Sequence, residues 1–140
     1  MLDANLLLYA VDEQSPRHTA AKEWVEATLS GADTVGLVWM VLLAFVRVST
    51  RPSVFERPLG VDEALDLVDG WLAQPCTTVL APTDRHAAVL RELLVPVGTA
   101  GNLSSDAHLA AVAIEHGAEL CSCDNDFRRF AGLRWTDPLA

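Results

Sequence analysis

The chain has 140 residues, of which 51% are hydrophobic, and a formal net charge of −9. This length and composition predict one domain over residues 1–140 with a substantial hydrophobic core. No apolar run approaches the ~20 residues of a membrane span, and the residues after Met1 lack the pattern of a signal peptide, so we expect a cytoplasmic protein with no membrane contact. The acidic balance argues against broad, sequence-independent binding of nucleic acid, although it allows a local site.

Short apolar strands and amphipathic helices alternate along the chain. The predicted strands lie at residues 1–3, 35–37, 77–80 and 120–123, and the predicted helices at 6–11, 16–29, 39–48, 61–73, 84–95, 106–116 and 126–129. Ser15 and Pro16 are typical of a helix start, and Pro96 and Gly98 of a helix end. The alternation predicts an α/β fold, a three-layer α/β/α sandwich around a mainly parallel central sheet of four or five strands.

Aspartates occur where the predicted strands give way to helices. Asp3 follows the first strand, Asp124 and Asp126 follow the strand at 120–123, and Asp106 starts a helix. Because ligands bind beyond the carboxyl ends of parallel strands, we expect Asp3, Asp106 and Asp124 to converge at one edge. Clustered carboxylates suit a hard cation such as Mg²⁺ or Mn²⁺, which serves phosphodiester chemistry. The alternative for Asp124 and Asp126 is a solvated turn that caps the next helix.

Four segments carry a resemblance to a known family: LDANLLLYA at 2–10, NLSSDAHLAA at 102–111, SCDNDFRRF at 122–130 and LRWTDPL at 133–139. Together they are similar to PIN-domain toxins of the VapC type, in a mycobacterial-like branch. The resemblance implies a PIN fold, a Mg²⁺- or Mn²⁺-dependent endoribonuclease acting on RNA, a homodimer, and a VapB-type antitoxin that covers the site. It also implies that Asp3, Asp106 and Asp124 are the metal-site acids, with Asp126 as a supporting fourth.

One position departs from the family pattern. The family usually carries a glutamate in the middle of the helix predicted at 39–48, where this chain has Ala44. One carboxylate fewer predicts weaker metal binding, or one ion rather than two. A small residue here also resembles the mycobacterial-type branch, so the position is compatible with an active enzyme. The alternative is a catalytically weak PIN-fold module that titrates a VapB-type antitoxin.

A phosphotransfer receiver domain is a further alternative, since receivers also collect aspartates at strand ends. Receivers resemble one another in a lysine after a late strand, whereas the only lysine here is Lys22, in an early helix. The receiver alternative is therefore disfavoured.

For the ribonuclease, hydrolysis by an activated water predicts RNA products with a 5′-phosphate and a 3′-hydroxyl. We expect Asp3→Asn or Asp106→Asn to abolish cleavage and preserve the fold.

Several other residues are weaker candidates for a role at the site. Asn5 and Ser122 lie beside two of them and could orient a ligand or water, although turns and caps explain them equally well. The same two alternatives apply to Asn102. His108 is predicted to be a surface or half-buried structural residue. Arg47 belongs to a group of arginines suited to bidentate phosphate contact, although surface solubility explains any single one.

Overall fold

The computed structural model describes residues 1–140. Its α-helices are α1 (Ala4–Val11), α2 (His18–Leu29), α3 (Trp39–Ser49), α4 (Val61–Leu72), α5 (His86–Leu94) and α6 (Ser104–Glu115). Its strands are β1 (Val35–Leu37), β2 (Thr77–Val79), β3 (Leu120–Cys121) and β4 (Trp135–Thr136). Two 3₁₀ helices, Gly101–Leu103 and Asn125–Arg129, precede α6 and follow β3.

All strand pairings are parallel. β1 pairs with β2, and β3 pairs with β4. The N-terminal residues connect the two pairs, because the Leu2 N–H donates to the Gly36 carbonyl at 3.3 Å and Leu2 forms a parallel bridge with Cys121. The extended segments therefore lie in the order β2, β1, residues 1–3, β3, β4, and the predicted α/β class with parallel strands is confirmed.

Most bounds differ from prediction by no more than two residues, and the differences at β3 and α2 and the unpredicted strand β4 have clear reasons. β3 ends two residues early because the Cys123 N–H donates to the Asn5 Oδ1 instead of to a neighbouring strand. β4 was not predicted, since two residues show no periodicity. α2 begins at His18 because its N–H donates to the Ser15 carbonyl at 3.0 Å, which closes a turn before the helix starts.

The core fixes α6 firmly. Its consecutive residues from Leu109 to Ala113 are fully or almost fully buried, as is Ala107. A helix that is apolar on most faces is enclosed by its neighbours, and α5 is one of them. Asp106, in the first turn of α6, is therefore held by the packing of the whole helix.

No helix is both long and apolar enough to cross a bilayer. The three cysteines, Cys76, Cys121 and Cys123, are free and half-buried.

Candidate metal centre

Asp3 is held by several hydrogen bonds where the N-terminal strand becomes α1. As N-cap of α1, its Oδ1 accepts from the Ala4 N–H at 2.7 Å. Its Oδ2 accepts from the Ser122 hydroxyl at 2.6 Å and from the Asn5 side-chain amide at 3.1 Å. The carboxylate is therefore fixed in position before any ligand binds.

Ser122 links Asp3 to the acids beyond β3. This buried hydroxyl also accepts from the Asp124 N–H at 3.1 Å and lies 3.0 Å from the Asn5 amide nitrogen. Asn5 and Ser122, whose roles the sequence left open between a ligand and a turn, thus tie two strand ends together. The sequence could not reveal this link, because Asp3 and Ser122 are 119 residues apart.

Asp106, Asp124 and Asp126 converge beside this link. One carboxylate oxygen from each lies within 4.8 Å of the others. Oxygens on opposite sides of one Mg²⁺ lie about 4.2 Å apart, so small side-chain rotations would let these three enclose a cation. Asp3, which was expected to converge with Asp106 and Asp124, is not one of these three and is connected to Asp124 through the Ser122 hydroxyl.

Asp124 and Asp126 have different surroundings. Asp124 caps the following 3₁₀ helix, accepting from the Asp126 N–H at 2.8 Å. The Asp126 side chain is 50% exposed and lies 3.3 Å from the Arg129 guanidinium. The capping alternative for this pair is therefore correct as a local description, and it leaves the second oxygen of Asp124 available.

Burial and mutual repulsion mark the cluster as one electrostatic unit. Burial raises the pKa of Asp106 to about 6, with further increases from the charges of Asp124, Asp3 and Asp126. Burial also raises the pKa of Asp3, against the lowering effect of the hydrogen bonds from Ser122 and Ala4. Both causes disfavour the charged form of Asp106, because burial removes water from the carboxylate and the neighbouring acids repel its charge. A divalent cation would remove this cost.

A small cavity opens beside the cluster. It has a volume of about 200 Å³, and its lining includes Asp3, Asp106, Ala44 and Arg47. Ala44, at the position where the resemblance to PIN-domain toxins implies a glutamate, therefore lies beside the acids. The short side chain at this position leaves open space where another carboxylate would project.

The remaining candidates lie apart from the acids or serve the fold. Asn102 is exposed in the first 3₁₀ helix. His108 is half-buried, as predicted, and its Nδ1 lies 2.9 Å from the His86 Nε2. His86 in turn contacts the Glu115 carboxylate at 2.6 Å, which joins α5 to α6. This link was not predicted from the sequence, where its only signal is a glutamate, Glu115, in the otherwise apolar C-terminal half of α6.

Comparison with known proteins places these features in a family. The family model described as PIN domain matches residues 1–133. Ribonuclease VapC37 of Mycobacterium tuberculosis is 49% identical over 140 residues, covering 100% of this chain and 97% of that protein. Ribonuclease VapC33 of the same species is 43% identical over 137 residues, covering 98% and 96%.

Solved structures agree on the fold. The chain matches one in the crystal structure of VapBC2 from Rickettsia felis bound to a DNA fragment from their promoter, with a TM-score of 0.71, 19% identity, and coverage of 97% of this chain and 96% of that one. It also matches a chain of VapBC-1 from nontypeable Haemophilus influenzae, with a TM-score of 0.69, 17% identity, and coverage of 100% and 98%.

Proposed function

Because the chain belongs to the PIN domain family, we propose that it is the toxin of a type II toxin–antitoxin system and an endoribonuclease that depends on a divalent cation. The observation that carries the proposal is the convergence of Asp106, Asp124 and Asp126 within 4.8 Å, beside the hydrogen-bonded Asp3. Full-length relatives that are named ribonucleases support the same activity over a module that only binds antitoxin.

The proposed cation is Mg²⁺, with Mn²⁺ as a substitute, because all the converging donors are hard carboxylate oxygens. Asp106 and Asp124 would hold it directly, Asp126 directly or through water, and Asp3 from the α1 side. When bound, such an ion makes water more acidic and stabilises negative charge on a phosphate. Ala44 supplies no ligand, so we expect weaker binding of the ion than a glutamate there would give.

The residues of the chain prepare the site for hydrolysis. Asp3 is already oriented by Ser122 and Asn5, so little conformational entropy is lost when a ligand arrives. The cavity beside Asp3 and Asp106 gives a phosphodiester a place next to the acids. In the reaction the oxygen of a water bonds to phosphorus and the water gives up a proton, while the bond from phosphorus to the 3′ oxygen breaks and that oxygen takes up a proton, so that one water is consumed for each bond cleaved. The products carry a 5′-phosphate and a 3′-hydroxyl.

The proposal extends to partners. Both solved neighbours come from VapBC assemblies, which supports a VapB-type antitoxin as the cognate partner. We further propose a cytoplasmic location, where RNA and antitoxin meet, a single PIN-like domain over residues 1–140, and a homodimer. Exposed apolar residues on α3 and α4, including Trp39 and Leu43, support the dimer.

The test is RNA cleavage by the purified chain with Mg²⁺, with a chelator, and by Asp106→Asn. We expect cleavage with Mg²⁺, none with the chelator, and recovery when Mg²⁺ or Mn²⁺ is added in excess. Asp106→Asn should lose cleavage and still bind antitoxin, whereas Asp69→Asn, an exposed aspartate of α4, should behave as the original chain. Cleavage that persists in the chelator would refute the dependence on metal.

A further inference from the structure

Arg47 is a cation placed in an otherwise acidic site. It lines the small cavity together with Asp3 and Asp106, near the C-terminal end of α3. The side chain is exposed and takes part in neither of the two ion pairs of the chain, which are His86–Glu115 and Arg129–Asp126. Its guanidinium therefore keeps its hydrogen-bonding capacity for a ligand.

Ala44 explains why Arg47 stays unpaired. The two residues are three apart on α3, so their side chains lie on the same helix face. Acids three residues before an arginine can pair with it on an α-helix, and a similar pair, Asp126 and Arg129 at 3.3 Å, occurs in the 3₁₀ helix Asn125–Arg129. The glutamate that the family usually carries at position 44 would be placed to pair with Arg47 in the same way, and alanine cannot.

We propose that Arg47 is a substrate-binding residue that holds a phosphate of the RNA backbone at the mouth of the acidic cavity. The inference rests on the proposed ribonuclease function and adds a residue to it. A polyanion approaching a chain of net charge −9 meets repulsion, and a positive group beside the acids offsets it where the phosphodiester must sit. Guanidinium suits this role because its planar fork donates two parallel hydrogen bonds to phosphate oxygens.

The test measures RNA binding without cleavage. A fluorescent single-stranded polyuridine oligonucleotide is titrated, in chelator, with the Asp106→Asn chain alone and with Arg47→Ala, Arg47→Lys or Arg91→Ala added. Arg91 is the matched control, since it is likewise exposed and lies in the last turn of a helix, α5, away from the cavity. Each alanine variant changes the net charge equally, so only the position differs. Circular dichroism checks that all four chains are folded.

We expect Arg47→Ala to weaken binding about fivefold to tenfold, the size of one partly exposed charged hydrogen-bond contact. The slope of log affinity against log salt should become shallower by about 0.7, the value for one lost phosphate contact on a single strand. Arg47→Lys should keep the slope and lose part of the affinity, because it retains the charge and loses the fork. Arg91→Ala should change neither quantity.

An unchanged affinity and salt slope in Arg47→Ala would overturn the inference, and the result would leave the proposed function intact if the original chain still cleaves RNA. Loss of antitoxin binding with RNA binding unchanged would also overturn it, because Arg47 would then serve the protein partner. Failure of the proposed function would be seen differently, because the original chain would then not cleave RNA with Mg²⁺. Equal losses in Arg47→Ala and Arg91→Ala would reduce the effect to net charge and contradict a specific contact.

Discussion

Asp106 carries the repulsion of the cluster without compensation from hydrogen bonds. Only burial and the charges of Asp124, Asp3 and Asp126 shift its pKa, whereas Asp3 is supported by Ser122 and the backbone. Asparagine at position 106 therefore removes charge and leaves no donor or acceptor unsatisfied. At position 3 asparagine would place an amide donor among groups that already donate. The hydrogen bonds therefore change the expectation for Asp3→Asn, which should perturb the fold as well, and Asp106→Asn is the cleaner variant.

Removing the charge of Asp106 should stabilise the metal-free protein. The pKa of Asp106 is about 6 in the folded chain against an ordinary value of 3.8, so the folded state binds this proton more tightly than the unfolded state. Stability is therefore lost as pH rises from about 4 to about 6, and Asp106→Asn should recover it at pH 7. After discounting for solvent screening of this half-buried group we expect a gain of ~1 kcal/mol, or about 3–5 °C in Tm.

Thermal unfolding in chelator at acidic and neutral pH measures this effect. The difference between Asp106→Asn and the original chain should vanish at about pH 3 and below, where the carboxyl is protonated in the folded and in the unfolded state. Excess Mg²⁺ at neutral pH should raise the Tm of the original chain relative to that of Asp106→Asn, because only the original chain keeps the full set of carboxylates. A variant less stable than the original in chelator at pH 7 would show that Asp106 is not under repulsion.

Ala44→Glu should change two affinities in opposite directions. A carboxylate projecting into the cavity beside Asp3 and Asp106 adds a ligand, so Mn²⁺ affinity measured by calorimetry should rise about tenfold. The same carboxylate is three residues before Arg47 and would pair with it, so RNA affinity in chelator should fall. Ala44→Gln has nearly the same size without the charge and should do neither. An unchanged Mn²⁺ affinity would mean that the side chain at position 44 does not reach the cation.

The helices α5 and α6 are joined by a buried acid rather than by apolar packing alone. The Glu115 side chain is fully buried, and its Oε1 accepts from the Thr83 N–H at 2.9 Å and from the Thr83 hydroxyl at 2.6 Å. Its Oε2 lies 2.6 Å from the His86 ring nitrogen. Because α6 carries Asp106, this link helps to hold the acidic cluster in place.

Glu115→Ala should destabilise the chain by about 2 kcal/mol, since the Thr83 N–H, the Thr83 hydroxyl and the His86 ring nitrogen all lose their shared partner. Urea unfolding followed by circular dichroism measures the loss. Glu92→Ala, at an exposed position of α5, is the matched control and should stay within about 0.5 kcal/mol of the original. Equal stabilities of the two variants would mean that water replaces Glu115 at no cost.

Sequence patterns predicted the elements well where local chemistry decides them. β1 was predicted with its observed bounds, and α3 and α4 to within one residue, because apolar periodicity and flanking glycine or proline mark their ends. The short strand β4 depends on pairing with β3, which is a tertiary contact. The bonds from Ser122 to Asp3 and from Glu115 to His86 also join residues far apart in sequence, so spacing could suggest their neighbourhood and could not supply the contacts.

The exposed apolar residues of α3 and α4 suggest how two chains associate. Trp39 and Leu43, 50% and 61% exposed, are four apart on α3, and Val61 and Leu65 are four apart on α4. Rows of this kind on adjacent helices are unusual on a free monomer surface. We propose that the α3 row, Trp39 and Leu43, lies in the dimer contact.

Leu43→Glu should shift the chain from dimer to monomer, because a charge at an apolar contact is desolvated without a partner. Light scattering at micromolar concentration should show an increase of about tenfold or more in the dimer dissociation constant. Val95→Glu is the control, since Val95 is 67% exposed beyond α5 and lies outside the α3 row. A dimer that persists in Leu43→Glu would place the contact elsewhere, and an original chain that is monomeric would remove the dimer altogether.

The most direct test of the account is the chemistry of the RNA ends that the purified chain produces with Mg²⁺, compared with Asp106→Asn under the same conditions. Attack by water predicts a 5′-phosphate and a 3′-hydroxyl on the products of the original chain, identified by mass spectrometry, and no products from Asp106→Asn. Attack by the 2′-hydroxyl of the RNA would instead leave a cyclic phosphate. Cyclic phosphate ends, or cleavage by Asp106→Asn as fast as by the original chain, would contradict metal-supported hydrolysis at the cluster of Asp3, Asp106, Asp124 and Asp126.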